Sequence, residues 1–256
     1  MMIRIVPIRA FKDNYIWLIL DDHLQTAFVV DPGDAAPVIT YLREQHFTLS
    51  GILITHHHSD HSGGIAGLLD ECGSVPVYGS TLSKVPQLSH FVREGDRVSC
   101  GRLTLNVAEI PGHTLDHLAF YTDEIIFCGD TLFSAGCGRV FEGTHEQMYH
   151  SLTRLSQLSD SAKVYCGHEY TLQNLRFAER VEPDNHFIQQ KIAVVSQMLA
   201  DGKPTLPSVM QDEKRINPFL RCDEKTVRLA AENRMKSTLA NPEDVFRSLR
   251  EWKNQS

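Results

Sequence analysis

Four histidines and an aspartate fall within six residues: His56, His57, His58, Asp60 and His61. Imidazole nitrogen and carboxylate oxygen together suit zinc, iron or manganese. His56 and His58 are two apart, so on extended backbone they project to the same side. Asp60 and His61 follow a bend and can face a second point nearby. One short segment can therefore offer two ligands to each of two ions. Ions held roughly 3.5–4 Å apart are a common hydrolytic device. The competing reading is a surface tract that takes up metal incidentally. It fits poorly here, because the tract lies between a short apolar run, Ile52 to Ile54, and the Gly63-Gly64 turn.

The surrounding pattern supplies mounts for such ligands. Apolar runs predict strands over 3–8, 16–20, 27–30 and 51–55. The spacing predicts helices over 36–46, with Asp34 as N-cap, and over 64–71. Further strands are predicted at 75–78, 103–107, 118–121, 125–128 and 163–166, while 79–102 reads as irregular. Thr144 with Gln147 fits a capping box for a helix over 144–158, with Met148, Leu152 and Leu155 as its buried stripe. Strand and helix alternate, the pattern of an α/β sandwich. From 171 the texture becomes helical, over 171–200 and 223–253, around a segment carrying Pro204, Pro207 and Pro218.

Four strand ends are each followed by a small-residue turn and a metal-competent side chain: His56 to His61, His113, Asp130 and His168. On one sheet they would converge at the same edge, where sites of α/β proteins form. The motifs at these ends resemble the metallo-β-lactamase superfamily of binuclear hydrolases. More narrowly the chain is similar to glyoxalase II, the hydroxyacylglutathione hydrolases. The resemblance runs through Thr55–His61, Pro111–Thr114, Gly129–Phe133, Gly136–Arg139, Cys166–Tyr170 and the terminal Arg-x-x-Lys of Arg250 and Lys253.

The resemblance implies an αββα sandwich over 1–168 that carries catalysis and a small helical substrate-binding domain over 169–256. It implies two divalent transition-metal ions per chain, zinc foremost, with iron or manganese as alternatives. His56, His58 and His113 would hold the first ion and Asp60, His61 and His168 the second, with Asp130 bridging. Asp60 and Asp130 are thereby catalytic as well as metal-binding, and Asp31 is a candidate to fix a histidine tautomer. The implied reaction is hydrolysis of S-(2-hydroxyacyl)glutathione thioesters, such as S-D-lactoylglutathione, by a hydroxide shared between the ions. Arg139, Phe141, Tyr170, Arg250 and Lys253 match the positions that clasp glutathione. Some members carry lysine and tyrosine where Arg139 and Phe141 stand. On the last helix, Phe246, Leu249 and Trp252 form the expected buried stripe, with Arg247, Arg250 and Lys253 along an adjacent face.

The chain has 256 residues, a net charge of −7 and a pI near 6.0. That balance disfavours nucleic acid, which needs phosphate-neutralising Lys and Arg. It weighs against a nuclease on the same scaffold, and the terminal basic pair weighs against a lactonase. No residues remain for the flavin or oxygen-binding partner of a redox module. No run of 18 apolar residues predicts a membrane span, and the start of the chain does not read as a signal peptide. The six cysteines, without a Cys-x-x-Cys pair, read as reduced thiols, with Cys128 and Cys166 packed beside the ligands. A cytoplasmic monomer is the expectation.

Overall fold

The computed structural model describes residues 3–256. In chain order it begins with β1 (Ile3–Ala10), β2 (Asn14–Asp21), β3 (Thr26–Val30), α1 (Ala35–Gln45) and β4 (Thr48–Leu53). A single helical turn, α2 (Ser59–Ser62), precedes α3 (Ile65–Cys72), β5 (Val77–Ser80), β6 (His90–Val92) and β7 (Arg97–Cys100). Next come β8 (Leu103–Glu109), β9 (Leu118–Tyr121), β10 (Ile125–Gly129) and a small hairpin, β11 (Leu132–Phe133) with β12 (Gly136–Cys137). They are followed by α4 (His145–Ser156), β13 (Lys163–Cys166), α5 (Thr171–Val181) and α6 (His186–Ala200). The chain closes with β14 (Ser208–Val209), α7 (Met210–Ile216), α8 (Lys225–Met235) and α9 (Pro242–Asn254).

Two mixed sheets face each other. One runs β1-β2-β3-β4-β5-β6 and the other β14-β13-β10-β9-β8-β7. Every residue of β2 is buried, and its alternation divides two cores. Tyr15, Trp17 and Ile19 point between the sheets, whereas Ile16, Leu18 and Leu20 pack under α1 and α3 with Val38, Leu42 and Leu68. Helix α4 buries Met148, Leu152 and Leu155 in the inter-sheet core, and its predicted capping box is formed. Asp34 caps α1 by accepting from Ala36 N–H at 3.0 Å. This is the α/β sandwich that the alternating pattern predicted, in the αββα form that the resemblance implied.

The differences are local. The stretch read as irregular, 79–102, contains β6 and β7. Both are short and have no clear apolar run, His90-Phe91-Val92 and Arg97-Val98-Ser99-Cys100, so neither registers. The helical stretch over 171–200 is two helices, interrupted where Pro183 lacks an N–H and disfavours helix in the residue before it. Asn185 then caps α6 through Phe187 N–H. The proline-rich segment is not without structure: Ser208–Val209 adds an antiparallel edge strand to β13. The helical C-terminal region thus shares a sheet with the rest of the chain.

Candidate metal centre

Strand β4 runs parallel to β3 and ends at the centre of its sheet. Just past it, Thr55 is tied down on three sides. Its N–H and hydroxyl donate to the two oxygens of Asp31 at 2.8 and 2.7 Å, and its carbonyl accepts from Leu118 N–H at 2.8 Å. His56 and His58 leave this anchored point on non-helical backbone. The turn of α2 then brings Asp60 and His61 round to a second position. A Cβ on Gly33 would lie 1.9 Å from the Asp60 carbonyl oxygen, so only glycine lets the loop after β3 approach this turn.

The opposite sheet supplies the other candidate ligands. His113 follows β8, Asp130 follows β10 and His168 follows β13. His58 Nδ1 lies 3.1 Å from both His56 Nε2 and His113 Nε2. His168 Nε2 lies 3.4 Å and His61 Nε2 3.5 Å from Asp60 Oδ2. Asp130 stands between the two triads. Its Oδ1 is 3.4 Å from His61 Nε2, and its Oδ2 is 3.5 Å from His113 Nε2 and 3.3 Å from His168 Nε2. All seven residues singled out in the sequence therefore meet at one place.

The donor set fits two cations. His61 Nε2 and Asp130 Oδ1 are buried without a hydrogen-bond partner, a costly state unless something accepts their lone pairs. The two halves also differ electrostatically. Burial holds the pKa of His56, His58 and His113 below the ordinary histidine value, so these rings are neutral at pH 7, as metal ligation requires. Burial also opposes charge on His61 and His168, but Asp130 outweighs it with help from Asp31 and Asp60. The His61 pKa rises well above the ordinary value and that of His168 rises to about 10. Asp60 is held low by His168; Asp130 is held low by His61 and His168 against its own burial. The Asp130, Asp60 and Asp31 carboxylates thus favour positive charge in this half of the site, the same field that would attract a cation.

An outer layer sets the tautomers. His61 Nδ1 donates to Asp31 Oδ2 at 3.0 Å, His168 Nδ1 to Asp13 Oδ1 at 2.9 Å, and His113 Nδ1 to the Arg139 carbonyl at 2.7 Å. Each bond leaves the Nε2 lone pair directed inward. Asn14 Nδ2 donates to Asp60 Oδ2 at 3.0 Å. Of these partners the sequence suggested only Asp31. Asp13 and Asn14 sit in the β1–β2 turn, which pairs with the His168 loop through an Asn14–His168 bridge. A carboxylate beside an amide in an otherwise plain turn was the available signal. His57 belongs to neither triad; its Nδ1 meets Asp116 Oδ1 at 2.9 Å and so braces the loop. Cys128 and Cys166 are buried next to the centre, and all six cysteines are free.

The profile described as "Metallo-beta-lactamase superfamily" matches residues 11–168, and the one described as "Hydroxyacylglutathione hydrolase C-terminus" matches residues 169–256. A hydroxyacylglutathione hydrolase from Alkalilimnicola ehrlichii is 51% identical over 257 residues, covering 100% of both chains. Another from Aeromonas hydrophila is 48% identical over 254 residues, covering 99% of each chain. The chain belongs to the hydroxyacylglutathione hydrolase family of the metallo-β-lactamase superfamily. Solved structures share the fold more distantly. ETHE1 from Myxococcus xanthus is 28% identical with a TM-score of 0.60, over 84% of this chain and 96% of that one. TTHA1623 in a di-iron-bound form is 22% identical with a TM-score of 0.57, over 86% of this chain and 100% of that one.

A cavity of about 580 Å³ opens above the centre, with Asp130 and His113 in its wall. Arg139, Phe141, Tyr170, Arg250 and Lys253 all line it, as do Arg176 and Arg180 of α5, which the sequence did not single out. Phe141 is exposed, its ring 5.2 Å from that of His113. Tyr170 stacks on His168 at 4.8 Å. The predicted face of the last helix is split by depth. Arg247 is exposed and paired with Asp244, whereas Arg250 is only 2% exposed. Arg250 Nη1 donates to the Cys137 carbonyl at 2.6 Å, and its guanidinium lies over Phe219 at 5.2 Å. Lys253 lies over Phe177, and burial, reinforced by Arg250, lowers its pKa to about 8.

Proposed function

We propose that the protein hydrolyses S-(2-hydroxyacyl)glutathione thioesters, S-D-lactoylglutathione among them, to glutathione and the 2-hydroxy acid. For the lactoyl substrate this is the second step of methylglyoxal detoxification, with D-lactate as product. The observation that carries this reading is that one cavity is walled both by two members of the ligand cluster, His113 and Asp130, and by the five positions matched to glutathione recognition. In the proposed assignment His56, His58 and His113 hold one divalent ion, Asp60, His61 and His168 hold a second, and Asp130 reaches both. Two such ions, zinc foremost and iron or manganese as alternatives, supply a water ionised near neutral pH and a Lewis acid for the thioester carbonyl.

The chain's own residues do the rest. Asp31, Asp13 and the Arg139 carbonyl keep the ring protons of His61, His168 and His113 on Nδ1. The Asp60 and Asp130 carboxylates offset much of the charge of two dications. Phe141 and Tyr170 wall the reacting end and limit its exposure to bulk water. The basic groups of Lys253 and Arg139 suit the two carboxylates of glutathione. In this scheme residues 1–168 carry the chemistry and residues 169–256 carry recognition of the glutathione tail.

A monomer suffices, since both ligand triads and the cavity come from one chain. Five of the six free cysteines are buried, in keeping with a reducing, cytoplasmic setting. Among the described residues no helix is long and apolar enough to cross a membrane. Neither a membrane nor a nucleic acid is part of the proposed activity. The test is elemental analysis of gently purified protein beside a panel of glutathione thioesters, a lactone and a β-lactam. Two transition-metal ions per chain and preference for the thioesters are expected. One ion at most with added metal, or no thioester turnover, would reject the proposal.

A further inference from the structure

His117 was not singled out in the sequence and belongs to neither ligand triad, yet it packs directly against the centre. It is 1% exposed, and its ring stacks on that of His56 with centroids 4.6 Å apart and planes 12° apart. Its Nδ1 lies 3.2 Å from the Leu118 carbonyl oxygen, which can only accept, so the ring proton sits on Nδ1. Nε2 is then a lone pair, and Asp130 N–H donates to it at 3.1 Å. The backbone below is built for this approach. Gly129 has φ +45°, and a Cβ there would fall 2.8 Å from His117 Cε1.

We propose that His117 is a positioning residue for Asp130, its Nε2 acting as the acceptor that fixes the backbone, and hence the carboxylate, of the residue between the two triads. The assignment rests on the reading that these triads hold metal. The physical case is that Asp130 N–H is buried and needs a partner. Without one, the peptide reorients, and Asp130 loses its simultaneous approach to His61, His113 and His168. A proton on Nε2 would abolish the acceptor. The ring is 1% exposed, and the Asp130 N–H already occupies the place such a proton would take.

Two substitutions separate the acceptor from the ring. H117Q ends at the depth of Nε2 and offers an amide oxygen but no ring. H117F keeps a flat ring against His56 and offers no acceptor. The readouts are the rate of metal loss from the holoenzyme to a competing chelator, and kcat and KM for a glutathione thioester. Partners of metal ligands are worth about 10–100-fold in metal affinity or activity. H117F is expected to lose metal at least ~10-fold faster and to lower kcat with little change in KM, while H117Q stays within ~3-fold of the parent. Parental metal retention in H117F would overturn the proposal. So would loss from H117Q as fast as from H117F, since packing alone would explain that. If H117F fails to fold, the H117Q result decides by the same threshold. A parent protein that binds no metal would instead reject the reading of the triads themselves.

Discussion

Asp130 is the residue on which both ligand triads converge, and its charge matters as much as its place. Its two oxygens lie 3.3–3.5 Å from three imidazole nitrogens. Asp130→Ala should abolish most activity and reduce metal content below two ions per chain. Asp130→Asn keeps the shape but loses the charge that offsets two cations, so it should be nearly as inactive. Near-parental turnover in both variants would rule out a bridging role. Asp31 works one layer out, through His61 Nδ1 and the Thr55 anchor. Asp31→Ala should weaken metal binding by about 10–100-fold, in line with other outer partners of metal ligands. Competition with a chromogenic chelator would measure it; unchanged affinity would place His61's orientation elsewhere.

The last helix shows how one face can serve two purposes. Lys253 has a pKa lowered to about 8, so its charge is present below that pH and lost above it. The KM for an anionic glutathione thioester should therefore climb as the pH passes about 8. Lys253→Met should raise KM at pH 7 and flatten that climb, with kcat changed less. A small thioester without the glutathione tail should be indifferent to both. A pH-independent KM in the parent would remove Lys253 from substrate binding. Arg250, in contrast, holds the Cys137 carbonyl at the end of the β11–β12 hairpin. Arg250→Ala should cost folding stability as well as affinity, by about 1–3 kcal/mol if the buried carbonyl is left unpaired. Denaturant unfolding would register the difference between these two neighbours, and equal stability of both variants would deny Arg250 its structural share.

The metal centre joins the two halves of the sandwich. His56, His58, Asp60 and His61 follow the end of central strand β4 in one sheet, while His113, Asp130 and His168 follow strands of the other. Ions held between them would act as cross-links that bind the folded chain and not the unfolded one. Stabilisation of this kind grows with free ligand and reaches about 4 kcal/mol at a thousandfold excess over Kd. Chelation should accordingly lower the melting temperature by several degrees, and restored metal should recover it. A melting curve indifferent to both treatments would argue that the triads do not clamp the sheets.

Much of this was legible in the chain because its cause is local. His56 to His61 are close in sequence, so strand periodicity and one bend suffice to make them face two points. The strands of β2 and β3 and the stripe of α4 repeat over enough residues for their period to show. Strands β6, β7, β11, β12 and β14, of two to four residues, have no period of their own and exist because a neighbour offers hydrogen bonds. What tertiary structure alone decided has a common physical origin in contacts between distant segments. Asp13 reaches His168 across 155 positions because the β1–β2 turn pairs with the loop after β13. His117 meets Asp130 because β9 and β10 lie side by side. Arg250 and Lys253 share a helix and a charge, and only the docking of α9 against Phe219 and Phe177 buries one guanidinium while leaving the ammonium at the cavity. Residue types and spacing determined which atoms could bind metal; the packing of two sheets and a helical cap determined which other atoms would hold them still.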